Sequence, residues 1–217
     1  MKELESLDAA FVIDTFLLLL IGIGPKIALV PFLEATSDMA EATKRRVLRK
    51  MLTTAAIVAA LLLILGGLLT RLLHFSPGAL GVSSGLILFV IAVALVLGHP
   101  GASGGDHPVK GQDPMQVAVF PLAVPYLLNP AGIVTLVTLS AEASSIAVLA
   151  VAIGVLVVVL ALDVIVFRWA VQVSSKLDAS RMLVTEKVFG FLLAALGVQL
   201  VLNGLSDVGV IHLTTGH

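Results

Sequence analysis

The chain has 217 residues, 59% hydrophobic and 12% charged, with a mean hydropathy of +1.11 and a formal net charge of −1. A soluble domain carries about 25% charged residues, so this chain has too little polar surface for a water-solvated fold, and the bilayer is its expected solvent. The balanced charge leaves no nucleic-acid footprint, and the lack of cysteine excludes disulfides, thiolate metal sites and cysteine nucleophiles.

The first residues, MKELESLDAA, are acidic and lack a small-residue cleavage pattern, so the apolar run that follows is expected to be retained. About 20 apolar residues are needed to cross a bilayer. Six such runs follow in order, at roughly 9–33, 48–73, 79–98, 117–139, 146–171 and 183–205. The polar stretch EATSDMAEATKRRVLRK joins the first two, and HFSPG is a tight turn between the second and third. The stretch GHPGASGGDHPVKGQDP is the longest connection. Its His99, Asp106 and His107 are too dilute in glycine to argue for a metal site. The last two connections are EASS and VQVSSKLDASR.

Lysine and arginine concentrate on cytoplasmic flanks. Lys44, Arg45, Arg46, Arg49, Lys50, Lys110, Arg168, Lys176, Arg181 and Lys187 fall on one side of a six-span arrangement, and only Lys2 and Arg71 on the other. The KRRVLRK run is therefore a topology signal. Both termini are expected outside the cytoplasm, with the connections near 40–46, 100–115 and 173–181 inside.

Two spans carry helix breakers at membrane depth: Gly24-Pro25 in the first and Asn129-Pro130 in the fourth. The two prolines are 105 positions apart. The segments GLILFVIAVALVLGH from Gly85 and GFLLAALGVQLVLNG from Gly190 share the same offset, with six of fifteen positions identical. The expected fold class is thus an all-α membrane protein. Its six transmembrane helices would form two inverted three-helix repeats, 1–108 and 109–217, with discontinuous helices one and four. Three spans per repeat invert the second half, a recurrent build of secondary transporters. Irregular backbone at that depth is tolerated only where protein or a water-filled cavity satisfies it. Each proline suits the first position of a new half-helix, and the positive ends of the two half-helices are expected to converge near the midplane.

At these motifs the sequence resembles the MarC family of bacterial and archaeal six-span membrane proteins, related to the LysE exporter group. The resemblance rests on Gly24-Pro25-Lys26-Ile27-Ala28-Leu29-Val30-Pro31-Phe32-Leu33, on Pro121-Leu122-Ala123-Val124-Pro125 and on Asn129-Pro130-Ala131-Gly132. It extends to Ser83-Ser84-Gly85 in the third span, and to Glu186-Lys187-Val188-Phe189-Gly190 and Gln199 to Asn203-Gly204 in the sixth. The resemblance implies a transporter of small neutral amino acids in the cell (inner) membrane.

The expected substrate site is bounded by Gly24, Pro25, Lys26, Asn129, Pro130, Ala131 and Gly132, with Ser83, Ser84, Gln199 and Asn203 as wall residues. Lys26 and Asp163 lie at similar depth and are expected to form an ion pair, with Asp163 a candidate coupling acid. An unpaired Lys26 would shift the preference from a zwitterion toward an anion. The expected partners are the lipid bilayer, a small zwitterionic or anionic solute, and a coupling proton or sodium ion. No cofactor, metal or enzymatic activity is expected, since no His/carboxylate pair sits at membrane depth. A cation channel or ion carrier, or a non-transporting membrane scaffold, is the alternative reading.

Overall fold

The computed structural model describes residues 9–97, 113–143, 145–173 and 179–212. The expected boundary between repeats, the residues His99, Asp106, His107 and Lys110, and the stretch around Ser175 and Lys176 lie outside these. The described part is helical: α1 (Ala9–Gly22), α2 (Pro25–Ala35), α3 (Glu41–Leu73), α4 (Pro77–Leu97), α5 (Pro114–Leu127), α6 (Pro130–Glu142), α7 (Ile146–Val173) and α8 (Ala179–Asp207).

Stretches of α3, α4, α7 and α8 are long and apolar enough to cross a membrane, namely Glu41–Leu73, Pro77–Ala94, Ile146–Gln172 and Gly190–Asp207. α1, α5 and α6 are shorter apolar helices. The outer faces carry large apolar side chains, such as Leu61, Ile64 and Leu68 on α3 and Val157, Ile165 and Trp169 on α7. A patch on this scale suits contact with lipid rather than water.

Local chemistry sets the element ends. α3 begins at Glu41, ahead of the apolar run, so the basic stretch is helical and not a loop. α3 ends on His74 in the left-handed region, φ 54, as helices commonly do. Ser76 then caps α4, its Oγ accepting from the Ala79 N–H at 3.1 Å, with Pro77 as the first helical residue. α5 starts as one helical turn capped by Asp113 and becomes irregular from Ala118. Phe120 and Val124 are extended, each directly before a proline, as expected of residues that clash with a following ring. Both of those X–Pro bonds are cis.

Glycine brings the long helices close. α4 and α8 form the most extensive helix pair. Gly85 lies against the carbonyl of Gly197 and against Val201, and Gly190 lies against the carbonyl of Ala92 and against Val96. The second set is the first with each residue moved by 105 positions to its counterpart in the other half. The same exchange relates whole elements. α1 packs on α7 as α5 packs on α3, and α4 packs on α6 as α8 packs on α2. One buried core joins these elements, with Leu19, Ile23, Phe32, Met51, Leu127, Leu128, Leu136 and Phe167 inaccessible.

Candidate functional site

Both breaks form as the prolines require. Gly24 and Asn129 are extended and sit ahead of α2 and α6, each of which begins on its proline. Each break interrupts the helical ladder, leaving the preceding carbonyls without helical donors. Such orphan groups are costly where water is excluded.

The two breaks satisfy each other. Ile23 and Leu128 form an isolated antiparallel bridge. The Gly24 N–H donates to the Leu127 carbonyl at 3.3 Å, and the Asn129 N–H donates to the Gly22 carbonyl at 3.0 Å. These bonds exchange under the 105-residue offset, which pairs Gly22 with Leu127, Ile23 with Leu128 and Gly24 with Asn129. The two interruptions therefore meet each other.

Asn129 adds what Gly24 cannot. Its Oδ1 accepts from the Gly132 N–H at 3.0 Å and so caps α6. Its Nδ2 donates to the Ile21 carbonyl at 2.8 Å, across to the other break. The corresponding end of α2 has no side-chain cap. The half-helices are thus related but not equal: the N-terminus of α6 is closed by a side chain and that of α2 is not.

Gly22 and Gly132 pack backbone against backbone. A Cβ on Gly22 would lie on the Cα of Gly132 and 2.5 Å from its nitrogen, and a Cβ on Gly132 would lie on the Gly22 carbonyl group. Neither position has room for a side chain. Gly132 is among the residues expected to bound the substrate site. In the structure it lets one half of the chain approach the other.

A model of the MarC family of integral membrane proteins matches residues 9–208. The chain belongs to the MarC family. It is 28% identical to the UPF0056 membrane protein YvbG of Bacillus subtilis over 200 residues, covering 90% of this chain and 94% of that one. It is 27% identical to a UPF0056 membrane protein of Pyrococcus horikoshii over 208 residues, covering 94% and 98%. A UPF0056 membrane protein of Methanocaldococcus jannaschii is 22% identical over 200 residues, covering 92% and 98%. No solved structure matches.

In this MarC family chain the structure brings Gly24, Pro25, Asn129, Pro130, Ala131 and Gly132 together at the bridge, and all but the half-buried Pro25 are buried. The expected pairing of Lys26 with Asp163 is corrected. Lys26 is exposed and forms no ion pair among the described residues. It lies about 200° around α2 from the fully buried Ala28, so its amine leaves the interior. The freed carbonyls of Ile21, Gly22 and Leu127 accept from the opposite break instead.

Asp163 is fully buried in α7, and neither carboxyl oxygen has a hydrogen-bond partner among the described residues. One turn further along, Phe167 packs edge-on against Phe32 of α2, with ring centroids 5.4 Å apart. Asp163 therefore lies on the face of α7 turned toward the broken helix.

The expected wall residues divide. Ser84 is buried on α4. Ser83 is exposed, its hydroxyl donating to the Leu80 carbonyl at 3.0 Å. Gln199 and Asn203 are exposed on α8 and bond to each other at 2.7 Å. Both lie on the side of α8 away from Gly197, which faces α4. Ser83, Gln199 and Asn203 are thus occupied locally. Sequence reasoning missed Gly22 and Ile21, whose roles come from the opposite break. The available signal was Gly22 alone, three positions before Pro25, because its counterpart before Pro130 is Leu127.

Proposed function

We propose that this MarC family protein is a secondary transporter exporting small neutral amino acids or similar solutes, built from two inverted repeats of three spans each, and not an enzyme. The observation that carries the reading is the meeting of two interrupted helices at Ile23 and Leu128, with bonds that exchange between the halves. The matched glycine contacts of α4 and α8 support the same symmetry. The concentration of basic residues on one side supports an orientation with both termini outside the cytoplasm of the cell (inner) membrane.

A pseudo-symmetric joint of this kind suits alternating access, in which one repeat rocks against the other around a fixed site. Opening the joint frees the carbonyls of Ile21, Gly22 and Leu127 for an ammonium group. The uncapped N-terminus of α2 offers its N–H groups and dipole to the carboxylate. Lys26, in the first turn of α2 and without an ion-pair partner among the described residues, adds positive charge at that end. Asp163 is the group we assign to coupling. A buried carboxylate without partners is costly, and a proton or a sodium ion supplies what the protein does not.

A second reading, an ion carrier or channel, is favoured by the same unpartnered Asp163. Counterflow separates the two. Liposomes loaded with unlabelled alanine accumulate labelled alanine transiently if the protein is a carrier. A channel gives no such overshoot.

A further inference from the structure

Away from the two breaks, a cavity of about 390 Å³ opens between the first turns of α3 and the last turns of α7. Arg45, Arg49 and Arg168 line it together with Thr53 and Gln172. Its floor is apolar, formed by Leu48, Leu52, Val164 and Val171. Arg45 and Arg49 are one turn apart on α3, and Val164, Arg168 and Gln172 repeat at the same spacing on α7, so two helix faces converge on one space.

None of the three arginines has an acidic partner among the described residues. The nearby Glu41 is engaged by Lys44 at 3.6 Å. Asp163, beside Val164 in the chain, is fully buried and does not line the cavity. A topology signal requires only that basic residues lie on one side. It does not require three guanidinium groups around a single cavity with an apolar floor.

We infer that this cavity binds a phosphate-bearing anion, with the headgroup of an anionic lipid as the occupant that fits best. Guanidinium groups match phosphate oxygens in bidentate geometry, and basic pockets between membrane helices hold anionic headgroups. The apolar floor at the ends of membrane helices suits the glycerol and upper acyl region of a lipid. A free phosphate would use the arginines alone. The site does not depend on the transport reading and is tested without transport.

The test is native mass spectrometry and thermal unfolding of the purified full chain in neutral detergent. It uses added phosphatidylglycerol, added phosphatidylcholine or inorganic phosphate. The expected result is tighter binding and a higher Tm with phosphatidylglycerol than with phosphatidylcholine. Each of Arg45→Gln, Arg49→Gln and Arg168→Gln should weaken that binding about fivefold, and all three together about a hundredfold. Arg71→Gln, at the other end of α3, should leave it unchanged. Stabilisation by inorganic phosphate that competes with the lipid, and is lost in the same variants, assigns the site to free phosphate and supports the shared chemistry. Equal binding of both lipids by the wild type without a phosphate effect overturns the proposal. So does an undiminished lipid preference in the single variants, which are informative even if the triple variant does not fold.

Discussion

Ile23 and Leu128 face each other across an antiparallel bridge, 105 positions apart, and the hydrogen bonds on either side are exchanged by the same offset. The bonds join Gly22 to Asn129 and Leu127 to Gly24, so Ile23 and Leu128 are themselves a non-hydrogen-bonded pair. In that geometry opposed side chains lie closest, with Cα atoms about 4.5 Å apart. This falls within the reach of a disulfide. The chain has no native cysteine, so the double variant Ile23→Cys, Leu128→Cys reports cleanly. Mild oxidation in the membrane should lock it intramolecularly, shown by a gel shift that reductant reverses. Two free thiols after oxidation would place the breaks apart.

Asn129 supports a graded series. Asn129→Ala removes the cap on Gly132, worth about 1 kcal/mol. It also leaves the partly buried Ile21 carbonyl without its donor, at about 1–3 kcal/mol. Asn129→Ser keeps a cap but is too short to reach Ile21. Thermal unfolding should rank wild type above the serine variant and the serine variant above alanine. The full loss should correspond to a fall of roughly 4–16 °C for a chain of this size. Equal stability of wild type and alanine would mean that the bonds to Gly132 and Ile21 are not formed.

Lys26 and Asp163 should behave independently. Lys26→Met and Asp163→Asn remove groups that do not touch, so their effects on stability should add within about 0.3–0.5 kcal/mol. Asp163→Asn alone should not destabilise the protein, because it exchanges a buried carboxyl without partners for an uncharged amide of the same size. In liposomes it should abolish acceleration by an ion gradient while sparing exchange. A coupling energy well above that margin between Lys26 and Asp163 would restore the ion pair.

Topology is open to single-cysteine labelling at exposed positions. Ser76 lies in the turn between α3 and α4, and Ser37 in the connection between α2 and α3. A cysteine at Ser76 should react with an impermeant maleimide on intact cells, and one at Ser37 only after the membrane is opened. The reverse pattern would invert the orientation inferred from the basic residues.

What could be read from the residues follows from the kind of signal each carries. Pro25 and Pro130 announce the breaks because a missing N–H acts locally. The 105-residue offset announces the correspondence of Gly85 with Gly190 because both glycines meet the same packing need. The irregular course of α5 was legible in Pro121 and Pro125, although only the break at Asn129 was expected there. Lys26 and Asp163 mark the limit. Their depth along the chain is visible in the sequence. The direction of a side chain around a helix depends on which face packs, and the face of α2 is set by Ala28 and Phe32 against the other elements. The contact between Gly22 and Gly132 escaped for a related reason. A glycine needed for close approach looks the same in sequence whether a solute or another backbone approaches.

We propose that the joined breaks form the moving part of a carrier for small amino acids. The most direct measurement is counterflow of labelled alanine or glycine in liposomes, comparing the wild type with Gly132→Leu, for which the Gly22 backbone leaves no space. Wild type should show a saturable transient overshoot, and the leucine variant, if still folded by size-exclusion chromatography and reconstituted to the same level, should show none. Wild-type flux that rises linearly with concentration and never overshoots, or an overshoot unchanged in the leucine variant, would contradict the account.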